Sequence, residues 1–367
     1  MTPYSSATPL TTPALVLDAA IVHRNVRRLA DYAAKHHLRI RPHTKTHKSR
    51  WLARMQLDAG AGGLTVAKVG EAEVMMTVSD DLLLAYPAVD PVRCSRLAEL
   101  AKSATIRVAI DSAIAVAALA QAAQQAGSTI GLLVDLDVGV GRTGVQSPRA
   151  ALELAQTIQS TPNVRLDGIL CYPGHIWLKP EEQRPALELV GAKLGTTLEL
   201  WGRHGLEAKI VSGGSTPTAY QSHQNQHLTE IRPGTYIFND MNTVRGGFCA
   251  LEDCAARVVC TVVSDAVPNQ IVIDAGTKTL TSDRCIPAPD SGHGYIVEYP
   301  AARIKALSEE HGQVDMSASD RRPRVGERVT VIPNHICPCV NLTDRCWWQE
   351  ANEPLVPLGV DARGRLS

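Results

Sequence analysis

The chain has 367 residues, of which 44% are hydrophobic and 20% charged, with 37 Lys plus Arg balanced by 37 Asp plus Glu. At roughly 150 residues per domain this length gives two units with a sizeable core, and the neutral, globular composition excludes disorder and offers no basic field for nucleic acid. Nine cysteines, an odd number scattered through a chain that needs no cross-links, indicate reduced thiols and a cytoplasmic location.

The first dozen residues are rich in Ser, Thr and Pro and lack the basic and apolar regions of a signal peptide. No stretch reaches 18 uninterrupted apolar residues, so no membrane partner is expected. Ala14–Leu17 reads as a strand, and Asp18 can cap a helix running to about His37. Strand and helix then alternate. Strand candidates at 38–41, 63–67, 82–86, 105–110, 130–136, 164–171, 209–211 and 230–237 are separated by helical segments at 49–57, 70–77, 91–102, 112–126, 148–159 and 181–204. The strands are mostly apolar on both faces, as parallel strands covered by helices must be.

Eight such strands favour a (β/α)8 TIM-like barrel over residues 18–245, with an open doubly wound sheet as the competing arrangement. From about Gly246 the texture changes to short β-branched runs at 258–263, 270–274, 294–298, 328–332 and 340–342, set apart by Gly, Pro, Asp and Asn. These predict a second, mostly antiparallel β domain over 246–367, joined by residues 1–17.

Four stretches are candidates for chemistry. Arg41-Pro42-His43-Thr44-Lys45-Thr46-His47-Lys48 closes the first barrel strand, and Pro42 restricts its neighbour to extended backbone, so Lys45 projects from a C-terminal strand end, where barrel enzymes keep their reacting groups. A basic solvated loop is the plainer reading of the same octamer. Gly139-Val140-Gly141-Arg142-Thr143-Gly144 matches a dinucleotide fingerprint, but Ser147-Pro148 makes a better helix start, so the amides of a helix would not meet a pyrophosphate here.

The third stretch, Ser212-Gly213-Gly214-Ser215-Thr216-Pro217-Thr218, follows the seventh strand and offers consecutive amides and hydroxyls. It reads as a phosphate cradle or as an ordinary turn. In the fourth, His335-Ile336-Cys337-Pro338-Cys339, an extended chain would aim alternate side chains to one face. Imidazole with thiolate favours zinc, although a buried pair without metal is the simpler reading of His-x-Cys alone.

Taken in order with Val69-Gly70-Glu71-Ala72-Glu73, Arg232-Pro233-Gly234-Thr235-Tyr236 and Pro333-Asn334-His335-Ile336-Cys337-Pro338, these motifs resemble the D-serine dehydratase and D-threonine aldolase family over nearly the whole chain. Those are pyridoxal-phosphate enzymes of the alanine racemase fold type, also called fold type III. The resemblance implies that Lys45 carries the cofactor covalently and acts as the base, and that Gly213, Gly214, Ser215 and Thr216, with Ser212, hold its phosphate. It places His43 on the ring, Arg142 by the cofactor or the substrate carboxylate, and Tyr172 and Tyr236 among the cofactor contacts.

A lysine partly desolvated in a barrel mouth is readily neutralised, which suits Lys45 to that task. His335 and Cys337 would hold a divalent metal, zinc or alternatively manganese, that takes up charge on the substrate hydroxyl. A cysteine two residues after the histidine goes with dehydratases and a carboxylate with aldolases, so the expected reaction is α,β-elimination from a D-3-hydroxy amino acid to a 2-oxo acid and ammonia. Retro-aldol cleavage to glycine and an aldehyde is the alternative, and a non-catalytic pyridoxal-phosphate binding protein a remoter one. A homodimer is expected by analogy with the fold type. Cys339 and the tandem Trp347-Trp348 fall outside the family pattern.

Overall fold

The computed structural model describes residues 10–351 and 353–367. Most of the stretch on which the absence of a leader was read lies outside them. The chain forms two compact units, one of Arg27–Gly234 with Gly364–Ser367, the other of the residues up to Val26 with Thr235–Arg363.

The chain enters through β1 (Ala14–Asp18) and α1 (Ala19–Lys35). Eight parallel strands then follow in the first unit: β2 (Arg39–Ile40), β3 (Leu64–Val66), β4 (Asp81–Leu84), β5 (Thr105–Ile110), β6 (Ile130–Asp135), β7 (Val164–Leu170), β8 (Ile210–Gly213) and β9 (Glu230–Ile231). They pair in the order β2-β9-β8-β7-β6-β5-β4-β3. The two outer strands meet through a bridge between His43 and Thr65, where the Thr65 amide donates to the Pro42 carbonyl at 2.8 Å, so the sheet closes as a barrel.

Helices α2 (Arg50–Asp58), α3 (Val69–Met75), α4 (Pro91–Leu100), α5 (Ala113–Ala126), α6 (Pro148–Ser160) and α7 (Arg184–Arg203) intervene between the strands. The side chains of Asp90, Ser112 and Ser147 cap α4, α5 and α6 by accepting from Arg93, Ala115 and Ala150 amides. All six residues of β6 are buried, as a strand covered on both faces requires.

The barrel interior carries a chain of ionised groups. Arg165 pairs with Asp167, Asp167 with Arg107, Arg107 with Asp81, Asp81 with Arg41, and Arg41 with Glu230. Ser212 Oγ donates to Glu230 at 2.6 Å and accepts from Arg232 at 2.7 Å, so the chain ends on the strands that carry the phosphate-loop candidate. Buried charges persist only when paired in this way.

The second unit contains β10 (Ala256–Ser264), β11 (Gln270–Ile273), β12 (Tyr295–Ile296), β13 (Arg303–Leu307), β14 (Gly312–Asp315), β15 (Arg328–Ile332), β16 (Arg345–Gln349) and β17 (Val356–Gly359), with the short helices α8 (Met241–Arg245), α9 (Thr277–Leu280) and α10 (Ile336–Asn341). Its sheet runs β13-β14-β11-β10-β1-β16-β17, with β15 also on β10 and β12 on β15. β1 pairs antiparallel with β10 and parallel with β16.

Two segments read as strands differ in the structure, and β13, β14, β16 and β17 were not read from the sequence at all. Residues 340–342, read as a strand, close α10, because Pro338 lies in the first turn of a helix, where its missing N–H costs nothing. The stretch 230–237, read as one strand, is the short β9 followed by a 3-10 turn at Thr235–Ile237, since Pro233-Gly234 interrupts the ladder. Trp348 is buried and Trp347 packs against Leu10, Ala14, Val16 and Val259, so the tandem tryptophans are core residues.

Candidate cofactor site and metal pair

β2 ends at Ile40, and Pro42 leads into a 3-10 turn at Thr44–Thr46 that presents Lys45. The turn is fixed from both sides. Thr44 Oγ1 donates to the Thr65 carbonyl at 3.0 Å, and Gly234 lies so close that an added Cβ would stand 2.8 Å from Thr46 Oγ1 and 3.0 Å from the His43 carbonyl. Lys45 is exposed, not partly desolvated as its place in the motif suggested, because the short turn lifts it above the strand ends. Any desolvation of its amine has to come from what binds over it. Lys48, the other lysine of the octamer, is buried and paired with Glu71 at 3.1 Å. Its backbone is left-handed, with φ 51°. His47 is structural, held by Gln56 and the Ser49 amide. His43 is kept neutral well below the usual imidazole range, first by burial and then by the positive charges of Lys45, Arg232, His47 and Arg142.

The glycine-rich loop after β6 is organised by its own acid. Asp137 Oδ1 accepts from the amides of Gly139, Val140 and Gly141 at 3.2, 3.0 and 3.1 Å. Burial pushes the Asp137 carboxyl up, but these three amides outweigh it and hold it below the ordinary range. Thr143 Oγ1 donates to Asp135 at 2.8 Å and the Gly144 amide to Asp111 at 3.0 Å. The amides that a pyrophosphate would need therefore already carry a carboxylate, and α6 starts only at Pro148. The loop's product is the placement of Arg142, whose guanidinium lies 4.9 Å from the centre of the Tyr172 ring.

After β8 the loop folds on itself. Ser215 and Thr218 exchange bonds, with the Ser215 amide donating to Thr218 Oγ1 at 3.2 Å and the Thr218 amide to Ser215 Oγ at 3.3 Å. Gly214 adopts a left-handed φ of 77°. Among the described residues no protein group accepts from the amides of Gly214 and Thr216, the arrangement an incoming phosphate would complete. Ser212 belongs to a different task, since its hydroxyl is engaged by Glu230 and Arg232 inside the barrel. Lys45, His43, Arg142, Tyr172 and this loop all follow C-terminal strand ends of the one barrel. Tyr236 lies in the other unit, buried on its 3-10 turn.

In the second unit His335 is the N-cap of α10, and the helix is anchored by Asp240, whose Oδ2 accepts from the Ile336 amide at 3.1 Å. Asp240 also forms a capping box on α8 with Thr243. Burial raises the Asp240 carboxyl. His335 Nδ1 meets Asp283 Oδ2 at 2.8 Å, which fixes the ring and leaves Nε2 as the nitrogen a metal would have to use. Burial opposes a proton on His335, but its bond to Cys337 and the charges of Cys337, Asp240 and Asp283 raise it to about 9. Cys337 also lies 3.7 Å from Thr235 Oγ1.

Cys339 does not join them. The helix turns it inward, where its thiol donates to the carbonyls of Leu280 and His335, so the extended-chain picture fails at that residue. Among the described residues no three His, Cys, Asp or Glu side chains are arranged to hold a metal. A metal on imidazole and thiolate here would complete its shell with water or substrate, which is the open form of such sites. Asp137, Asp240 and Asp283 were missed from sequence, and Arg232 was read only as part of a family motif. Asp283 stands 52 residues from its histidine and gives no local signal, whereas Asp137 two residues before a glycine pair is a recognisable Asx pattern.

Comparison with known proteins identifies the family and the fold. The family model described as alanine racemase, N-terminal domain, matches residues 17–242, and a serine dehydratase domain model matches 255–348. A D-threonine aldolase of Arthrobacter sp. is 32% identical over 91% of this chain and 87% of its own length. A D-threo-3-hydroxyaspartate dehydratase of Delftia sp. (strain HT23) is 30% identical over 89% and 91%. Two solved mutants of D-threo-3-hydroxyaspartate dehydratase superpose with TM-scores of 0.89 at 27% and 28% identity, each covering 96% of this chain, and 95% and 97% of their own. One replaces a histidine and the other, in the metal-free form, a cysteine two positions later. With well over half of its length matched by the first model, the chain belongs to the alanine racemase N-terminal domain family, in the form that carries a serine dehydratase domain behind it.

Proposed function

We propose that this enzyme is a pyridoxal-phosphate- and metal-dependent lyase of D-3-hydroxy amino acids, and that its reaction is α,β-elimination to a 2-oxo acid and ammonia. The observation that carries the reading is the barrel rim itself. Lys45, for which no partner carboxylate is found among the described residues, and a loop with two amides unclaimed among the described residues follow strand ends of the same closed barrel. Lys45 would hold the cofactor, the amides of Gly214 and Thr216 its phosphate, and Arg142 a carboxylate or the cofactor's ring oxygen. Bound pyridoxal phosphate supplies an electron sink for charge developing at the substrate α-carbon.

Lys45, exposed and without a carboxylate partner among the described residues, is the group that would take the α-proton. His43 stays neutral beside it, so it withholds no proton and adds no charge. Ser212, itself donating to Glu230, accepts from Arg232 and holds its guanidinium in place.

His335 and Cys337 are proposed to hold a divalent metal, zinc in preference to manganese because the donors are imidazole and thiol. Such a metal supplies a Lewis acid for a hydroxyl oxygen. Support comes from the Asp283–His335 pair, which has the form of a ligand-orienting contact, and from the same histidine–cysteine spacing in a dehydratase whose cysteine mutant was solved in a metal-free form. The cysteine is also the reason to prefer elimination.

Retro-aldol cleavage is the second reading, favoured by the identity to the Arthrobacter aldolase. A homodimer in the cytoplasm completes the proposal. Among the described residues no helix is long and apolar enough to cross a membrane. The test is product analysis: the loaded, zinc-supplied protein is given D-threonine and D-serine, and 2-oxo acid, ammonia, glycine and aldehyde are assayed. 2-Oxo acid with equimolar ammonia is expected. Glycine plus aldehyde would transfer the assignment to the aldolase, and no turnover with cofactor retained would favour a binding protein.

A further inference from the structure

Gln183 is a buried side chain that the proposed reaction does not touch. It is the N-cap of α7, is 0% exposed, and donates through Nε2 to two carbonyls, that of Leu178 at 2.9 Å and that of Pro217 at 3.0 Å. Both neighbours are acceptors, so the amide nitrogen must be the atom that faces them. Its Oε1 accepts from no group among the described residues. An apolar side chain would fill the same space without an orphaned oxygen. What glutamine adds is a donor that joins two loops.

Those loops are neighbouring arms of the barrel rim. Leu178 lies on the one that follows β7. There the Tyr172 ring packs so closely on Gly174 that a Cβ would overlap it, and the Trp177 indole donates to the Gly174 carbonyl at 3.1 Å. Arg142 lies over the same Tyr172 ring. Pro217 lies on the loop that follows β8. In a trans peptide the carbonyl and the next amide point opposite ways, so a donor on the Pro217 carbonyl sets the direction of the Thr218 amide. That amide donates to Ser215 Oγ at 3.3 Å, and the Ser215 amide returns to Thr218 Oγ1 at 3.2 Å. Ser222 Oγ holds the next carbonyl, that of Thr218, at 3.0 Å. Among the described residues the amides of Gly214 and Thr216 are the ones this lock leaves unclaimed.

We propose that Gln183 is a positioning residue for the phosphate cradle: its amide holds the Pro217 peptide in the orientation that locks Ser215 to Thr218 and keeps the Gly214 and Thr216 amides open to the cofactor phosphate. The inference rests on the reading of loop 212–218 as that cradle. Equilibrium dialysis of the native protein, Gln183→Met and Gln183→Asn against pyridoxal phosphate and against pyridoxal tests it. Pyridoxal can reach Lys45 but brings nothing for the loop, so the ratio of the two affinities isolates the cradle. The native protein should favour the phosphate ester. In Gln183→Met, which keeps the length and loses the donor, the ratio should fall about 10-fold, as for one buried hydrogen bond, with the affinity for pyridoxal unchanged. Gln183→Asn draws the amide back by one methylene, and its ratio should fall between the two.

A ratio kept at its native value in Gln183→Met, or in Gln183→Asn should the first variant not fold, overturns the proposal and leaves the cradle standing. Equal loss of both ligands overturns it as well, since that is the mark of a loosened fold. A native protein that binds pyridoxal phosphate no more tightly than pyridoxal refutes the cradle itself, and the role of Gln183 falls with it.

Discussion

Replacing Glu230 by Gln should damage both the barrel and its cofactor loop, and the structure gives the size of the effect. The Glu230 side chain is 3% exposed and faces Arg41, 5% exposed, with Nε at 3.0 Å from both carboxylate oxygens. Removing one partner of a buried pair costs about 3–5 kcal/mol, because the other charge stays behind uncompensated. Arg41 keeps Asp81, which is 28% exposed, so the lower end, about 3 kcal/mol, is expected. Hydrogen exchange of the β6 amides reads this quantity in the barrel unit alone and avoids assuming that both units unfold together. In the Arg41→Met/Glu230→Met double variant both charges are gone, and the loss should fall short of the summed single losses by about 2 kcal/mol. Ser212 loses its acceptor in Glu230→Met, whereas Gln keeps a carbonyl oxygen that can accept from it, so cofactor affinity should weaken along with stability in the Met variant and less in the Gln variant. A Glu230→Gln loss under about 1 kcal/mol, or a strictly additive double variant, would refute the view that this network holds the barrel.

Asp137, whose carboxyl sits below the ordinary range in the folded chain, contributes stability that is complete above about pH 4 and is lost as pH falls through its depressed value. Protection of the Gly139–Gly141 amides, taken relative to the intrinsic exchange rate at each pH, should accordingly fall below that range in the native protein. In Asp137→Ala it should already be low at neutral pH and change little with acid, and parallel protection curves for the two would contradict the role given to Asp137. His335→Ala or Cys337→Ala should abolish stoichiometric zinc measured by atomic absorption. Asp283→Asn should weaken zinc binding about 10- to 100-fold, and undiminished metal in either ligand variant would remove the pair from the site.

Much of the barrel is legible in sequence because its strands are short apolar runs, its helices open on Asp90, Ser112 and Ser147, and the two periods alternate without a break. Lys45 is legible for a related reason, since Pro42 fixes where the strand must end. The antiparallel unit is read less well. β13 and β14 are half-exposed, β16 opens on Arg345, and their pairing is set by partners far along the chain. α10 is hidden because Cys-Pro-Cys has neither helical propensity nor apolar period, and the helix exists through Asp240, which holds its first amide from 96 residues away. The exposure of Lys45 has the same origin in reverse: burial depends on what lies above a turn, which no local pattern records.

The central claim, that Lys45 on the rim of the barrel is the residue bonded to pyridoxal phosphate, is tested most directly by reducing the loaded protein with borohydride and mapping its peptides. The predicted result is a pyridoxyl group on Lys45, absent in Lys45→Ala, whose fold remains intact by circular dichroism. A pyridoxyl group on the Glu71-paired Lys48, on Lys68, or on no lysine would contradict it.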